Sequence, residues 1–300
     1  MSSERWYAEY AENRCEDGYM KGRIFSIEEF SLYDGPGIRT TVFFKGCPLS
    51  CNWCHSPEGQ GYTRQIVKSG NGCLHCGKCA AVCTHPGACV LCGECVKACP
   101  RSLIRISGED WEAEQLYKKL SKNFALLERG GGGVTFSGGE PLMQAEFLLE
   151  MLRLCEGKTH RAIQTSGYCA ETTFLEVLKN VDLVLYDLKF IDEDAAKRYT
   201  GKSSAPILRN FEILKGSGVP FVVRVPLIPT VTDTENNLTA IAERIGGAGF
   251  LKVELEPYNK FAGSKYAMCG REYLPQFDES VPPEINTKIF EERNIKVSVY

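Results

Sequence analysis

Apolar and polar positions alternate along most of this chain in two periods, and the switches between them mark the elements. RIFSIEEFS, just after Gly22, reads as a first short strand, and a turn rich in Gly and Pro follows at residues 34–37. RTTVFFK, residues 39–45, is dense in β-branched and aromatic side chains and predicts a second strand. Trp111, Leu116, Tyr117, Leu120 and Phe124 stand close to helical spacing, which predicts a helix over 110–127. Four glycines, 130–133, lead into VTFSGGEP, a strand ending in a loop. The pattern then predicts a helix at 145–154, a strand and turn at 161–167, a helix at 172–178 and a strongly apolar strand at 181–190. Helices from Asp192 and around 207–215 precede the strand FVVRVPLIP, 221–229. A helix over 234–245 is capped by Thr234 or Asp233, LKVELEPY (251–258) is a strand, and 283–293 with KVSVY closes the chain. Strands alternating with helices predict β-α units around a parallel sheet. About six units are too few for a closed eight-strand barrel.

Two stretches fall outside this pattern. Residues 1–22 are polar, with Trp6, Tyr7 and Tyr10 scattered among Glu and Arg, and read as a loosely ordered or docking arm. From 59 to 101 glycine and cysteine dominate, with little periodicity of either kind. Such a segment cannot build its own apolar core, so something else must staple it.

Composition changes the picture at one point. The length predicts one or two domains, and 43% hydrophobic residues suffice for a sizeable core. A net charge of -3 gives no case for nucleic acid or an anionic membrane. No N-terminal apolar run resembles a signal peptide, and no stretch approaches the ~18 apolar residues of a membrane span. Fifteen cysteines are far above ordinary usage. In a cytoplasmic, reducing compartment they argue for metal rather than disulfides.

Their spacing is specific. Cys47, Cys51 and Cys54 form C-x3-C-x2-C directly after the apolar run 40–44. Three thiolates on one short loop can hold three irons of a four-iron cluster and leave the fourth open to a substrate; three nearby cysteines can also hold zinc. Cys73, Cys76, Cys79 and Cys83 form C-x2-C-x2-C-x3-C, and Cys89, Cys92, Cys95 and Cys99 repeat it before Pro100. This is the doubled bacterial ferredoxin pattern, in which each run's fourth cysteine ligates the other run's cluster. One cluster then takes Cys73, Cys76, Cys79 and Cys99, the other Cys83, Cys89, Cys92 and Cys95. Cys15, Cys155, Cys169 and Cys269 have no partner spacing and read as isolated thiols.

With Trp53 just before its last cysteine, the first spacing resembles the radical S-adenosylmethionine (SAM) superfamily. DGPGIRTTVF, residues 34–43, narrows the resemblance to the activating enzymes of glycyl radical enzymes. It implies an α/β fold: an open (β/α)6 partial barrel from 23–60 and 102–300, interrupted by a ferredoxin-like insert at 61–101. It implies three [4Fe-4S] clusters and SAM as cofactors. SGGE (Ser137, Gly138, Gly139, Glu140) resembles the motif for the methionine part of SAM, where an ammonium needs Glu140 and backbone carbonyls as acceptors. QTSG stands where the family has an acid before Thr165, so Gln164 is a departure. Asp187, Leu188 and Lys189 match a SAM-contacting DLK. Trp53 and His55 match backbone contacts to adenine, and Asn259 replaces a histidine that contacts the adenosyl group. Taken alone, SGGE is a common turn and Lys189 a solvated strand-end lysine. Arg224, charged within an apolar strand, should meet a carboxylate, of the protein or of SAM.

The implied activity is that of an oxidoreductase. Reductive cleavage of SAM at Cys47, Cys51 and Cys54, with Lys189 assisting, yields a 5′-deoxyadenosyl radical that takes a hydrogen from one glycine of a partner enzyme. Asp34, Gly35 and Gly37 are candidates for gripping the partner's glycine loop. A flavodoxin or ferredoxin is the expected electron donor, and the chain is expected to be a monomer. Two other classes are weighed against this: a radical SAM enzyme acting on another peptide or a small molecule, and a non-catalytic electron carrier resting on residues 73–99 alone.

Overall fold

The computed structural model describes residues 20–246 and 252–300; residues 1–19 of the expected arm, with Cys15, lie outside them, as does Leu251. Strands β1 (Lys21–Ser31) and β2 (Arg39–Phe44) form a hairpin, β3 (Gln65–Lys68) and β4 (Ile104–Ser107) flank the cysteine-rich stretch, and β5 (Glu109–Glu112) follows. The β-α alternation then supplies β6 (Gly133–Gly138), β7 (His160–Thr165), β8 (Leu183–Asp187), β9 (Phe221–Leu227), β10 (Lys252–Pro257) and β11 (Lys296–Val299). One mixed sheet has the order β11-β10-β9-β8-β7-β6-β2-β1-β5, and β3 pairs only with β4. From β2 through β11 the neighbours are parallel, whereas β1 is antiparallel to both β2 and β5.

Period-two alternation gives this sheet two different faces. Val134, Phe136, Ile163, Val184, Tyr186, Val223, Val225, Val253 and Leu255 enter the main apolar core with Leu116, Phe147, Phe174, Phe211 and Leu238 from the helices. Each such side chain contributes roughly 1.5–3 kcal/mol by leaving water. The intervening residues, Ser137, Gln164, Asp187, Arg224, Glu254 and Glu256, therefore share the opposite, concave face. The sheet has two edges, yet it curls: the β1–β2 turn reaches across to the far side. There the Tyr33 carbonyl accepts a hydrogen bond from Arg224 Nη2, and the Tyr33 ring lies 5.9 Å from that of Tyr300.

Three elements differ from expectation. Residues 109–112 are an edge strand rather than the start of a helix, because Lys21 and Gly22 of β1 pair with Glu112 and Trp111. Helix resumes at Ala113–Leu120 and again at Phe124–Arg129. Near the C-terminus the helix Ala262–Met268 has no expected counterpart, and Lys288–Glu291 is helical as well. The β3–β4 ladder, Gln65–Lys68 on Ile104–Ser107, has no expected counterpart. Thr234 is the cap of the helix Glu235–Ile245, accepting from Asn237 N at 3.3 Å, while Asp233 accepts from Glu284 N instead.

Candidate active site

Loops after β2, β6, β7, β8, β9 and β10 leave the same end of the sheet and surround a cavity of about 360 Å³. In β/α folds this is the end where functional groups gather.

The cysteine loop forms one wall. Its backbone is tied to three other segments: Cys47 N donates to Gln60 O at 3.0 Å, Ser50 N to Thr200 O at 2.8 Å and Asn52 N to Tyr199 O at 3.2 Å. Leu49, Cys51 and Trp53 pack with Phe190, Ile228 and Val231 in a separate apolar cluster. Cys47, Cys51, Cys54, Trp53 and His55 all line the cavity. Burial pushes the three thiols up, Cys51 to about 12. Among the described residues, no three His, Cys, Asp or Glu converge on a point where a single metal ion would sit.

The end of β6 presses against this loop, and that contact explains the two glycines. A Cβ on Gly138 would lie 2.2 Å from Phe44 N, and one on Gly139 would lie 2.3 Å from Gly46 O. Gly138 also holds φ at +122°, a region open to glycine and strained for other residues. With both glycines in place, Gly139 N reaches Phe44 O and Glu140 N reaches Gly46 O, each at 2.8 Å. Ser137, Gly138 and Gly139 line the cavity, but Glu140 does not. Its carboxylate is buried and occupied within the protein: Oε1 accepts from Thr165 Oγ1 (2.6 Å) and Leu142 N, Oε2 from Ser166 N (2.8 Å) and Ser166 Oγ (2.6 Å). Glu140 thus ties β6 to β7 and positions Thr165 and Ser166, which do line the cavity. Both oxygens of Glu140, the expected acceptor for a SAM ammonium, are thus engaged within the protein.

Deeper in the cavity, polar side chains from successive strands link across the sheet. Ser137 Oγ donates to Gln164 Oε1 at 3.0 Å, Gln164 Nε2 to Asp187 Oδ1 at 3.4 Å, and Lys189 Nζ to Asp187 Oδ2 at 3.0 Å. Burial works against the Lys189 charge, but the Asp187 carboxylate together with the neighbouring Cys51 and Cys47 thiols holds the ammonium above its usual range. The amide of Gln164, where an acid was expected, therefore bridges a hydroxyl and a carboxylate without adding charge. Leu188 points away, fully buried in the main core, so its side chain is no cavity contact.

Arg224 meets two protein carboxylates. Nε donates to Glu254 Oε2 at 2.9 Å, Nη1 lies 3.3 Å from Glu256 Oε1, and the remaining nitrogen serves the Tyr33 carbonyl. It lies 3% exposed behind Glu256 and does not itself line the cavity. Glu256, Tyr258 and Asn259 do line it, and Glu256 was not anticipated. Asp34, Gly35 and Gly37 stand elsewhere. Six strand residues, at roughly 3.3 Å each, separate them from the cysteine loop, so they are near it in sequence only. Asp34 Oδ2 accepts from Thr41 Oγ1 at 2.7 Å, and a Cβ on Gly37 would lie 2.3 Å from the Gly131 carbonyl carbon.

Beyond the β3–β4 ladder the other cysteines line two smaller cavities. Cys73, Cys76, Cys79 and Cys99 share one, and Cys83, Cys89, Cys92 and Cys95 share the other. No helix among the described residues is long and apolar enough to cross a membrane.

Residues 41–240 match the model of the radical SAM superfamily. The chain is 35% identical to the trans-4-hydroxy-L-proline dehydratase activating enzyme of Clostridioides difficile, over 93% of this chain and 99% of that protein. It is also 35% identical to the pyruvate formate-lyase-activating enzyme of Clostridium pasteurianum, over 89% and 95% of the two. Among solved structures, SuiB of Streptococcus suis bound to precursor peptide SuiA matches 98% of this chain and 52% of its own at 11% identity and a TM-score of 0.56, a likeness of fold alone. On this similarity and the cysteine-lined cavity together, the chain belongs to the radical SAM superfamily, among the activating enzymes of glycyl radical enzymes, which work with a [4Fe-4S] cluster and SAM.

Proposed function

We infer that Cys47, Cys51 and Cys54 hold the SAM-cleaving cluster and that this chain stores a radical on one glycine of a partner glycyl radical enzyme. The observation that carries the reading is the single cavity onto which the three thiols, Ser137–Gly139, Lys189 and Asn259 all open. Three soft thiol donors with no fourth at the same wall among the described residues suit a four-iron cluster with one open iron, since each thiolate takes its own iron and the sulfurs need not converge. When bound, the cluster supplies the electron that splits SAM into methionine and the 5′-deoxyadenosyl radical that takes the glycine hydrogen. The chain's own residues do the holding. The Lys189 ammonium, fixed by Asp187, offers a cation to the SAM carboxylate or a donor to its ribose. Backbone carbonyls of Ser137–Gly139 offer acceptors to its ammonium. Trp53, His55 and Asn259 border the adenine, and Leu49, Trp53 and Ile228 keep that wall dry.

Residues 61–101 serve, on this reading, as a ferredoxin-like insert in a partial barrel made of 23–60 and 102–300. Two separate four-cysteine cavities, each joining three cysteines of one run to the fourth of the other, support two further clusters with crossed ligands. The insert would then pass electrons from a flavodoxin or ferredoxin to the barrel of a monomeric, cytoplasmic enzyme. Asp34 remains a candidate contact of the partner's glycine loop, while Gly35 and Gly37 act through the backbone turn that carries it. The test is anaerobic incubation of the iron-reconstituted protein with SAM and dithionite. Methionine and 5′-deoxyadenosine should appear in equal amounts; a protein that holds its iron yet returns SAM intact would refute the reading and leave an electron carrier.

A further inference from the structure

Glu256 has no place in the account so far, and its surroundings are unusual. It is an acidic residue lining the cavity, and Asp187 is the other among the described residues. Asp187 is engaged on both oxygens, by Gln164 and by Lys189. Glu256 accepts no hydrogen bond among the described residues; its one ion pair, with Arg224, uses Oε1. Arg224 is itself engaged by Glu254, the Tyr33 carbonyl and that contact. The second carboxylate oxygen has no partner among the described residues, on a side chain that lines the cavity. Burial raises this carboxyl from 4.5 to about 7 despite the opposing pull of Arg224, as befits a group placed without enough donors.

Position selects the donor. Glu256 is followed by Pro257, Tyr258 and Asn259, all on the cavity wall at the end of β10. Tyr258 packs against the apolar cluster of Leu49 and Trp53, the wall assigned to adenine. Glu256 lies one pleat upstream of Tyr258 on β10, where a nucleoside whose base rested on that wall would bring its ribose. A carboxylate with a free oxygen suits a vicinal diol, as acidic residues in dinucleotide sites do. We propose that Glu256 is a specificity-determining residue that accepts hydrogen bonds from the ribose hydroxyls of SAM, held in orientation by Arg224. The inference rests on reading the cavity as the SAM site.

Equilibrium dialysis of the iron-reconstituted full chain under anaerobic conditions tests it with two probes: SAM, and the SAM analogue lacking both ribose hydroxyls. Wild type should bind SAM, and Glu256→Gln should bind it about tenfold more weakly, a loss of about 1.4 kcal/mol. Both proteins should bind the dideoxy analogue equally. Glu256→Asp, which keeps the charge and shortens the reach, should lose SAM affinity in the same ligand-dependent way with an unchanged melting temperature. An equal loss for both ligands, or for neither, would overturn the role of Glu256 while leaving the SAM site intact. Failure of wild type to bind SAM at all would overturn the site reading itself.

Discussion

Two sets of cysteines stand in opposite settings. Cys47, Cys51 and Cys54 sit on a loop that is hydrogen-bonded to residues 60, 199 and 200 and packed through Leu49 and Trp53. Cys76, Cys83, Cys89 and Cys92 are exposed, and the short helices between them, Lys78–Ala81 and Glu94–Ala98, bury no residue. The first loop is shaped by the barrel before any metal arrives. Among the described residues the second region is tied to the rest by little more than the β3–β4 ladder, the contacts of Arg105 with the buried Glu58 and the Phe25 carbonyl, and one from Gln65 to Cys269. Apolar packing preorganises the one; on the proposed reading the other draws its stability from clusters on its thiols.

The largest expected effect breaks the pair apart. Anaerobic removal of iron by a chelator should leave amides of residues 69–103 with almost no protection against hydrogen exchange. Those of β6 to β9 should keep the global value, on the order of 5–15 kcal/mol. Equal protection in both regions would remove the contrast. Next in size, replacing Cys47, Cys51 and Cys54 by alanine should abolish 5′-deoxyadenosine formation and remove about four of roughly twelve irons, with the insert's iron retained. Retained product would refute the assignment of the loop.

Crossed ligation sharpens the comparison within the insert. Cys99→Ser should damage the cluster of the first run and Cys83→Ser that of the second, as spectroscopy of each variant would show. Both variants should still cleave SAM with a strong chemical reductant and turn over slowly with a protein donor. Full activity with the protein donor would make the insert a docking surface rather than a relay. On the preformed side the effects are those of single contacts. Asn259→Leu should weaken SAM binding by about 1–3 kcal/mol, and Asn259→His should be tolerated. Unchanged affinity in the Leu variant would place Asn259 outside the site.

The smallest effect concerns pH. Folding raises Glu256 from 4.5 to about 7, so between those values the native state holds a proton that the unfolded chain has released. Its contribution to stability is complete below pH 4.5 and is lost as pH rises toward 7. Melting curves of Glu256→Gln should fall less steeply than wild type across that window; parallel curves would contradict the sign.

What was legible in the sequence was local. Cysteine spacing, the β-α alternation and the Thr234 cap each need a few neighbouring residues, and each has its element in the fold. What was not legible depends on pairing across the chain. Residues 109–112 carry helical spacing, yet the open edge of β1 recruits them as a strand. Nothing next to Glu140 in sequence shows that Thr165 and Ser166, at the end of β7, engage both its oxygens. Glu256 lies in a run, VELEP, whose alternating carboxylates signal an inward polar face, but only the register of β9 on β10 reveals Arg224 beside it. The DGPG turn lies ten to thirteen residues before Cys47 in sequence and a whole strand away in space.

The central claim is that the radical made at the Cys47–Cys54 loop is delivered to a glycine of another protein. The direct measurement is isotope transfer: a partner glycyl radical enzyme grown on α-deuterated glycine is mixed anaerobically with the reduced, iron-reconstituted chain and SAM, and the 5′-deoxyadenosine is weighed by mass spectrometry. The account predicts one deuterium in that product together with a glycyl radical signal in the partner. Unlabelled 5′-deoxyadenosine with a radical-free partner, at full SAM cleavage, would contradict it.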